Sequence, residues 1–327
     1  MYKELQNIIK KFSNQKVIVW GDLILDEYIY TTTGRISREA PVLVTEFESN
    51  EFKLGGAGNV VLNIKSLGAE PIPVGFIGKD LDGKILKEIL KKNGIKSDYL
   101  IEVKNYKTPK KSRILSGGES TKKQQVLRID KLNRSEIDYT LYNKIEKILL
   151  DLLENIDLLI ISDYIYESVK PDILNNIKKI FPSKLVTIDS RNNFLKFHNT
   201  TIATPNEPEV KRIFPDNNFY SEKDFFKAGL ELLGKIEAEG IILKRGHKGL
   251  IAFEKNKKPK VINIYGSSDI VDVTGAGDTV ISVLSLSLLS KASLILSAQL
   301  ANIAAGIVVM KEGAYPIHYE ELYNELK

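Results

Sequence analysis

Short apolar runs alternating with helical patterns govern what this chain can fold into. Val17–Trp20, Ile72–Phe76, Leu158–Ile161, Leu185–Ile188, Ile241–Leu243 and Leu250–Phe253 read as strands, bounded by polar or turn-forming residues. Between most of them lie helical stretches: Asn59–Leu67, Lys84–Asn93, Tyr142–Asn155, Lys170–Ile180 and Glu222–Leu233, with Gly94 as a left-handed stop. A strand apolar along its whole length is buried on both faces. That demands a mostly parallel sheet covered by helices on either side, an α/β fold. The 327 residues suit one large unit of this kind or about two smaller domains.

Two stretches break the rhythm. Tyr28 to Phe52 and Tyr99 to Asp130 are rich in Thr, Val, Tyr and Ile with period-two patches. They are expected to leave the sheet on one side as a small β lid with a face open to a partner chain. Lys-rich Glu254–Lys260 reads as a solvated hairpin loop. The first residues read as a surface helix, since they lack the continuous apolar stretch of a secretory signal. Ala292 to Met310 carries no charge over 19 residues, close to a membrane-spanning length. Its Ser293, Ser297, Gln299 and Asn302, with small residues at Ala298, Ala301, Ala304, Ala305 and Gly306, instead suit a close-packed buried helix.

Composition narrows the chemistry. With no cysteine, disulfides, thiolate nucleophiles and Cys-ligated metals are excluded. A net charge of +5 argues for neither nucleic acid nor membrane, and a soluble cytoplasmic protein is the expectation. The histidines, His198, His247 and His318, are too scattered for a zinc site or a hydrolase triad. Gly78–Lys84 nearly matches a phosphate-binding P-loop, but Ile85 offers no hydroxyl, and Asp80 and Asp82 would repel phosphate.

Ligands of open α/β sheets bind beyond the carboxyl ends of the strands. There the chain places Asp22, Asp163, Asp189, Asn206 and Lys244-Arg245-Gly246. Each Asp or Asn also reads as a helix cap, yet five polar ends together suggest a site. In Asp272-Val-Thr-Gly-Ala-Gly-Asp278, the small residues Gly275, Ala276 and Gly277 let backbone N–H groups at a helix start approach an oxyanion. Asp278 is then placed to take a proton from a hydroxyl during phosphoryl transfer. From spacing alone the string reads equally as a glycine turn with a capping aspartate. Leu54-Gly-Gly-Ala-Gly-Asn59 likewise reads as a tight turn or as a polyol site, with Asn63, Asp22 and Asp26 supplying polar groups.

Taken together, Gly55–Asn59 running into Gly75–Asp80, and Asp272–Asp278, resemble the signatures of the ribokinase-like carbohydrate kinases over nearly the whole chain. The resemblance implies a three-layer α/β sandwich with a small β lid and transfer of the γ-phosphate of ATP to a sugar hydroxyl. It implies that Asp278 is the general base, with Gly275, Ala276 and Gly277 as the anion hole. Asp22, Asp26, Gly55, Gly56 and Asn59 would hold the sugar. Asn206 and Glu209 would organise Mg²⁺ and phosphates, Glu209 indirectly. Lys244, Gly246 and Gly249 would line the nucleotide loop, with Asn302 beside the adenine. Asp272, Thr274, Val308 and Gly313 would bind K⁺, and two copies are expected to pair through the lid.

Within the family, Gly21–Tyr30, Arg35–Pro41, Gln125–Asp130, Ser162–Tyr164 and Thr204–Asn206 are most similar to kinases acting on D-glycero-β-D-manno-heptose 7-phosphate, in their monofunctional form. Ile165-Tyr166 and Asp189-Ser-Arg191 depart from that pattern, with Arg191 a stand-in for a lysine. Lys110, Lys111, Arg113 and Arg128 are the lid cations expected to meet a distal phosphate.

Overall fold

Every strand of the alternating region feeds one sheet. The computed structural model describes residues 2–118, 122–133, 136–266 and 271–327. Helix α1 (Tyr2–Ile9) leads into β1 (Lys16–Gly21), after which β2 (Leu23–Ile36) and β3 (Leu43–Gly56) depart before α2 (Ala57–Ser66) and β4 (Glu70–Gly78) return. Next come α3 (Leu81–Lys92) and the short β5 (Leu100–Val103), and then β6 (Lys110–Gly117) and β7 (Gln124–Lys131) depart again. Beyond α4 (Tyr139–Leu153) come β8 (Leu158–Asp163), α5 (Pro171–Ile180), β9 (Leu185–Ser190), β10 (Ile202–Ala203), α6 (Glu207–Ile213), α7 (Glu222–Lys235) and β11 (Gly240–Lys244). A hairpin of β12 (Leu250–Glu254) and β13 (Lys260–Ile262) precedes α8 (Ala276–Leu289), α9 (Leu294–Val308) and α10 (Tyr319–Asn324).

The large sheet runs β13-β12-β11-β10-β9-β8-β1-β4-β5, parallel from β11 to β5. Its two faces feed two cores, as the unbroken apolar strands require. Val17 and Val19 of β1 pack with α1, α2, α8 and α9, whereas Ile18 and Trp20 pack with α4, α5 and α7. Each fully buried side chain of that size contributes about 1.5–3 kcal/mol. Helix α8 is buried continuously from Asp278 to Ser287, and α9 is mostly buried against it. Among the described residues, no helix is long and apolar enough to cross a membrane.

The second sheet, β3-β2-β6-β7, is the lid. Its strands fill the two stretches that lack helical periodicity but overrun them: β2 begins at Leu23, β3 continues to Gly56 and β7 ends at Lys131, while Leu100–Val103 joins the large sheet. Leu100 and Ile101 are buried where they pair with Gly75 and Phe76, so the edge of the core claims them. Register sorts the lid residues by face. Tyr28, Arg113 and Arg128 lie opposite one another on one side, and Ile29, Ile114 and Leu127 on the other. The Gly78–Lys84 decoy is a helix start: Asp80 caps α3, and Asp80 and Asp82 pair with Lys131 at 3.0 and 2.6 Å.

Candidate active site

Asp278 stands in the first turn of α8, whose N-cap is Gly275 at φ 83°, a left-handed conformation that a side chain would strain. A Cβ there would also collide with the Asn59 amide. Helix geometry leaves the first N–H groups of α8 without intrahelical acceptors. Ala276 N reaches back to Val273 O at 3.3 Å, which leaves Gly277 and Asp278 as the better-placed anion donors. The Asp278 carboxylate is buried and bound on both oxygens: Asn59 Nδ2 donates to Oδ2 at 2.8 Å, and Tyr164 Oη donates to Oδ1 at 3.0 Å. Burial, with Asp189 nearby, raises its pKa to about 6, while Asn59, Tyr164 and Lys244 pull the other way. It is a carboxylate at neutral pH that is readily protonated, which suits a general base.

Toward the lid, Asp26 is buried and accepts a 2.7 Å bond from Arg113. Gly55 lies so close beneath it that any Cβ would strike Asp26 Oδ2. Gly56 caps α2, and Asn59 emerges from that helix's first turn onto Asp278. Asp26, Gly55, Gly56 and Asn59 therefore gather between lid and base. Asp22 does not join them. It is fully buried, and its two oxygens accept the backbone N–H groups of Tyr164, Tyr166 and Ser168 at 2.8, 3.0 and 2.9 Å. The carboxylate expected on the sugar instead holds the loop after β8. Asn63 is likewise structural, joining Thr279 and Ile317.

The lid cations separate. Lys110 lies on the far face, paired with Glu27 and Asp82 at 3.3 and 3.2 Å. Arg128 shares the face of Arg113 but is exposed and tied to Asp130 at 2.8 and 3.0 Å, so it stays at the rim. Lys111 and Arg191 instead converge on the Tyr164 ring, 5.1 and 5.2 Å from its centroid.

On the other side of Asp278 a cavity of about 490 Å³ is lined by Asn206, Lys244, Gly246, Gly249, Asn302 and Gly277, among others. Asn206 caps α6 in a reciprocal box with Glu209, each side chain accepting the other's N–H at 2.8 Å. Lys244 bridges both oxygens of Asp189 at 2.8 Å, beside Gly277 at the helix mouth. Burial and the Asp189 charge push Glu209 up to about 7.

Asp189, Glu209 and Asp278 crowd around one lysine, Lys244, and their hard oxygens suit a Mg²⁺ ion carried in by phosphates. Asp272 accepts the amides of Thr274 and Gly313 at 2.9 and 3.0 Å, which with that hydrogen bonding lower its pKa. It thus supplies an ionised hard oxygen suited to a monovalent cation. The Val308 carbonyl accepts Lys311 N at 3.0 Å.

The sequence profile of the pfkB family carbohydrate kinases matches residues 14–320. The chain belongs to that family. Its family is one of carbohydrate kinases. It is 36% identical over 323 residues to the bifunctional protein HldE of Haemophilus influenzae strain PittEE, covering 97% of this chain and 64% of that protein. It is 31% identical over 325 residues to the HldE of Syntrophotalea carbinolica, covering 98% and 65%. The chain thus spans about two thirds of the length of these curated relatives. Phosphofructokinase-2 of Escherichia coli, solved with substrates and products, superposes with a TM-score of 0.75 at 17% identity over 96% of this chain and 98% of that one. Arabidopsis thaliana ribokinase, solved with ribose and ATP, gives 0.72 at 19% over 96% and 99%. These likenesses establish the ribokinase-like fold.

Tyr164 and Asp189 are the site residues to which the sequence assigned no role. Asp189 was visible as a polar strand end, but the Lys244 that neutralises it lies 55 positions away. Nothing in the spacing marked Tyr164 as a partner of the base.

Proposed function

We propose that this kinase phosphorylates the anomeric hydroxyl of D-glycero-β-D-manno-heptose 7-phosphate in the cytoplasm. The observation that carries the reading is Asp278, buried between the amide of Asn59 and the phenol of Tyr164 at the mouth of α8, with the nucleotide cavity on one side and the lid on the other. The acceptor oxygen attacks the γ-phosphorus, its proton passes to Asp278, and the bond to the β-phosphate oxygen breaks to release ADP. Gly277 and Asp278 amides and Lys244 face the charge on the moving phosphoryl group. Mg²⁺ entering with the nucleotide would neutralise its phosphates outside Asn206 and Glu209, and K⁺ would sit by Asp272, Thr274 and Gly313. The heptose 7-phosphate assignment is supported by the resemblance of the Gly21–Tyr30 and Gln125–Asp130 phrases and by the HldE relatives. The departures at Ile165, Tyr166 and Arg191 favour a second reading, in which the mechanism stands but another sugar, sugar phosphate or nucleoside is the acceptor. A homodimer joined through the exposed lid face completes the proposal.

The test is ADP release with Mg·ATP against heptose 7-phosphate, fructose 6-phosphate, ribose, fructose and adenosine, repeated in potassium, sodium and tetramethylammonium salts. Selective turnover of the heptose is expected. Turnover of another acceptor reassigns the substrate, and equal rates in all three salts remove K⁺.

A further inference from the structure

Two segments supply the polar wall of the cavity beside α8: Asn206–Pro208 at the start of α6, and the Lys244–Gly249 loop after β11. Backbone pairing joins them weakly. Strands β10 and β11 pair at Ile202–Gly240 and Ala203–Ile241, and beyond these Lys244 N donates to Pro205 O at 2.8 Å. Helix α6 has seven residues and its buried apolar residue is Val210, while the loop turns on Gly246 and Gly249 at φ 56° and 78°. Neither a helix of two turns nor a glycine loop fixes its own position.

Arg245 ties both to a third element. Its side chain is 6% exposed, with Nε donating to Glu207 of α6 at 2.9 Å and Nη1 to Glu222 of α7 at 2.6 Å. The guanidinium also lies 5.7 Å from the centroid of the Phe225 ring on α7. Its backbone N–H donates to Gly249 O at 2.9 Å and closes the loop. Helix α7 is the firm support, because Phe225, Ala228 and Leu232 are buried in the core on that side of the sheet. A guanidinium engaged by two carboxylates has no surplus charge to offer a phosphate, so its fork serves to hold these three elements together.

We infer that Arg245 is a positioning residue for the nucleotide: by joining Glu207 to Glu222 it sets Asn206 and Lys244 at the separation that the nucleotide phosphates require. The inference rests on the reading of this cavity as the nucleotide site. Glu207 gives it a sign. That carboxylate lines the cavity, so as an isolated charge it repels phosphates, and its removal would tighten nucleotide binding. As the anchor of Arg245, its removal weakens binding instead. Glu222 stands on α7, and its loss leaves Arg245 bound to Glu207.

The experiment titrates the full chain with Mg·AMP-PNP by calorimetry and follows initial rates against ATP and against the acceptor. Arg245→Met is expected to raise Kd and the KM for ATP by at least ~10-fold while the KM for the acceptor stays within about two-fold. Glu207→Gln is expected to raise Kd by ~3-fold or more, and Glu222→Gln by less. Arg245→Lys keeps the charge but lacks the fork for two carboxylates, so it should fall between wild type and Arg245→Met. Adding Glu207→Gln to Arg245→Met should weaken binding no further, because both break one contact. If Arg245→Met does not fold, Glu207→Gln and Arg245→Lys carry the test. Unchanged or tighter nucleotide binding in Glu207→Gln, or equal rises in KM for ATP and acceptor in Arg245→Lys, overturns the positioning role. A wild-type protein that does not bind Mg·AMP-PNP removes the nucleotide reading of the cavity, and the role of Arg245 with it.

Discussion

Replacing Asp278 by Asn should make the protein less active and, at neutral pH, more stable. The carboxyl is fully enclosed, and its pKa is raised from 3.8 to about 6, chiefly by burial. A carboxyl whose folded pKa lies above its unfolded value loses native stability as pH rises between the two. The cost is absent below about pH 4 and complete above about pH 6. Two units correspond to roughly 3 kcal/mol. Asn removes that cost but offers one acceptor oxygen to two donors, Asn59 and Tyr164, which returns about 1–2 kcal/mol. The net gain of about 1–2 kcal/mol is a rise in Tm of roughly 2–3 °C for a chain of this size. Calorimetry at pH 7.5 and pH 4.5 reads it directly, since the gain should vanish or reverse at the lower pH. Activity in the same samples should fall by about 10²–10⁴. An offset in Tm independent of pH refutes the enclosed, reluctant carboxylate. Turnover within a few-fold of wild type refutes the base.

Two further perturbations test the frame around the site. Ile165 adopts φ 65° with its side chain 40% exposed, so Ile165→Gly should stabilise the protein by about 1 kcal/mol in denaturant titration, and a loss would show that packing outweighs backbone strain there. Leu127, Ile129 and Phe47 are 55, 56 and 67% exposed on the outer lid, and Leu127→Asp should convert a dimer into monomers in sedimentation at micromolar concentration. A wild-type monomer would contradict lid pairing.

The parallel sheet was legible because strands such as Leu158–Ile161 are buried on both faces and show it as unbroken apolar sequence. The glycine turns were legible because close backbone approach leaves few other residues possible, as the collision awaiting a Cβ at Gly55 demonstrates. Elements too short to carry a period escaped notice: α6 and α10 have seven and six residues. The direction of a side chain escaped as well. A strand-end aspartate looks the same whether it points at a ligand or at amides, and Asp22 turned to amides 142 to 146 positions away. Lid charges were equally ambiguous until register put Lys110 on one face and Lys111 on the other.

The fate of Asp22 explains why the loop after β8 can carry a tyrosine to the base. Ile165 and Glu167 both hold positive φ, 65° and 77°, and neither is a glycine. Each such residue costs on the order of 1–3 kcal/mol, so the loop would relax if it were free. Three backbone N–H groups donating to one buried carboxylate, with Asp163 accepting Ile165 N at 2.9 Å, offset that strain with charge-assisted bonds of about 1.5–3 kcal/mol each. The same bonds give the clamped carboxylate its donors, though burial and the charge of Asp163 still raise its pKa to about 6. The strained loop fixes where the Tyr164 Cα stands, and two cations fix where its ring lies. The hydroxyl is then held at Asp278 by Asp22 between β1 and β2, Lys111 of β6 and Arg191 just after β9, which together fix the loop and the ring.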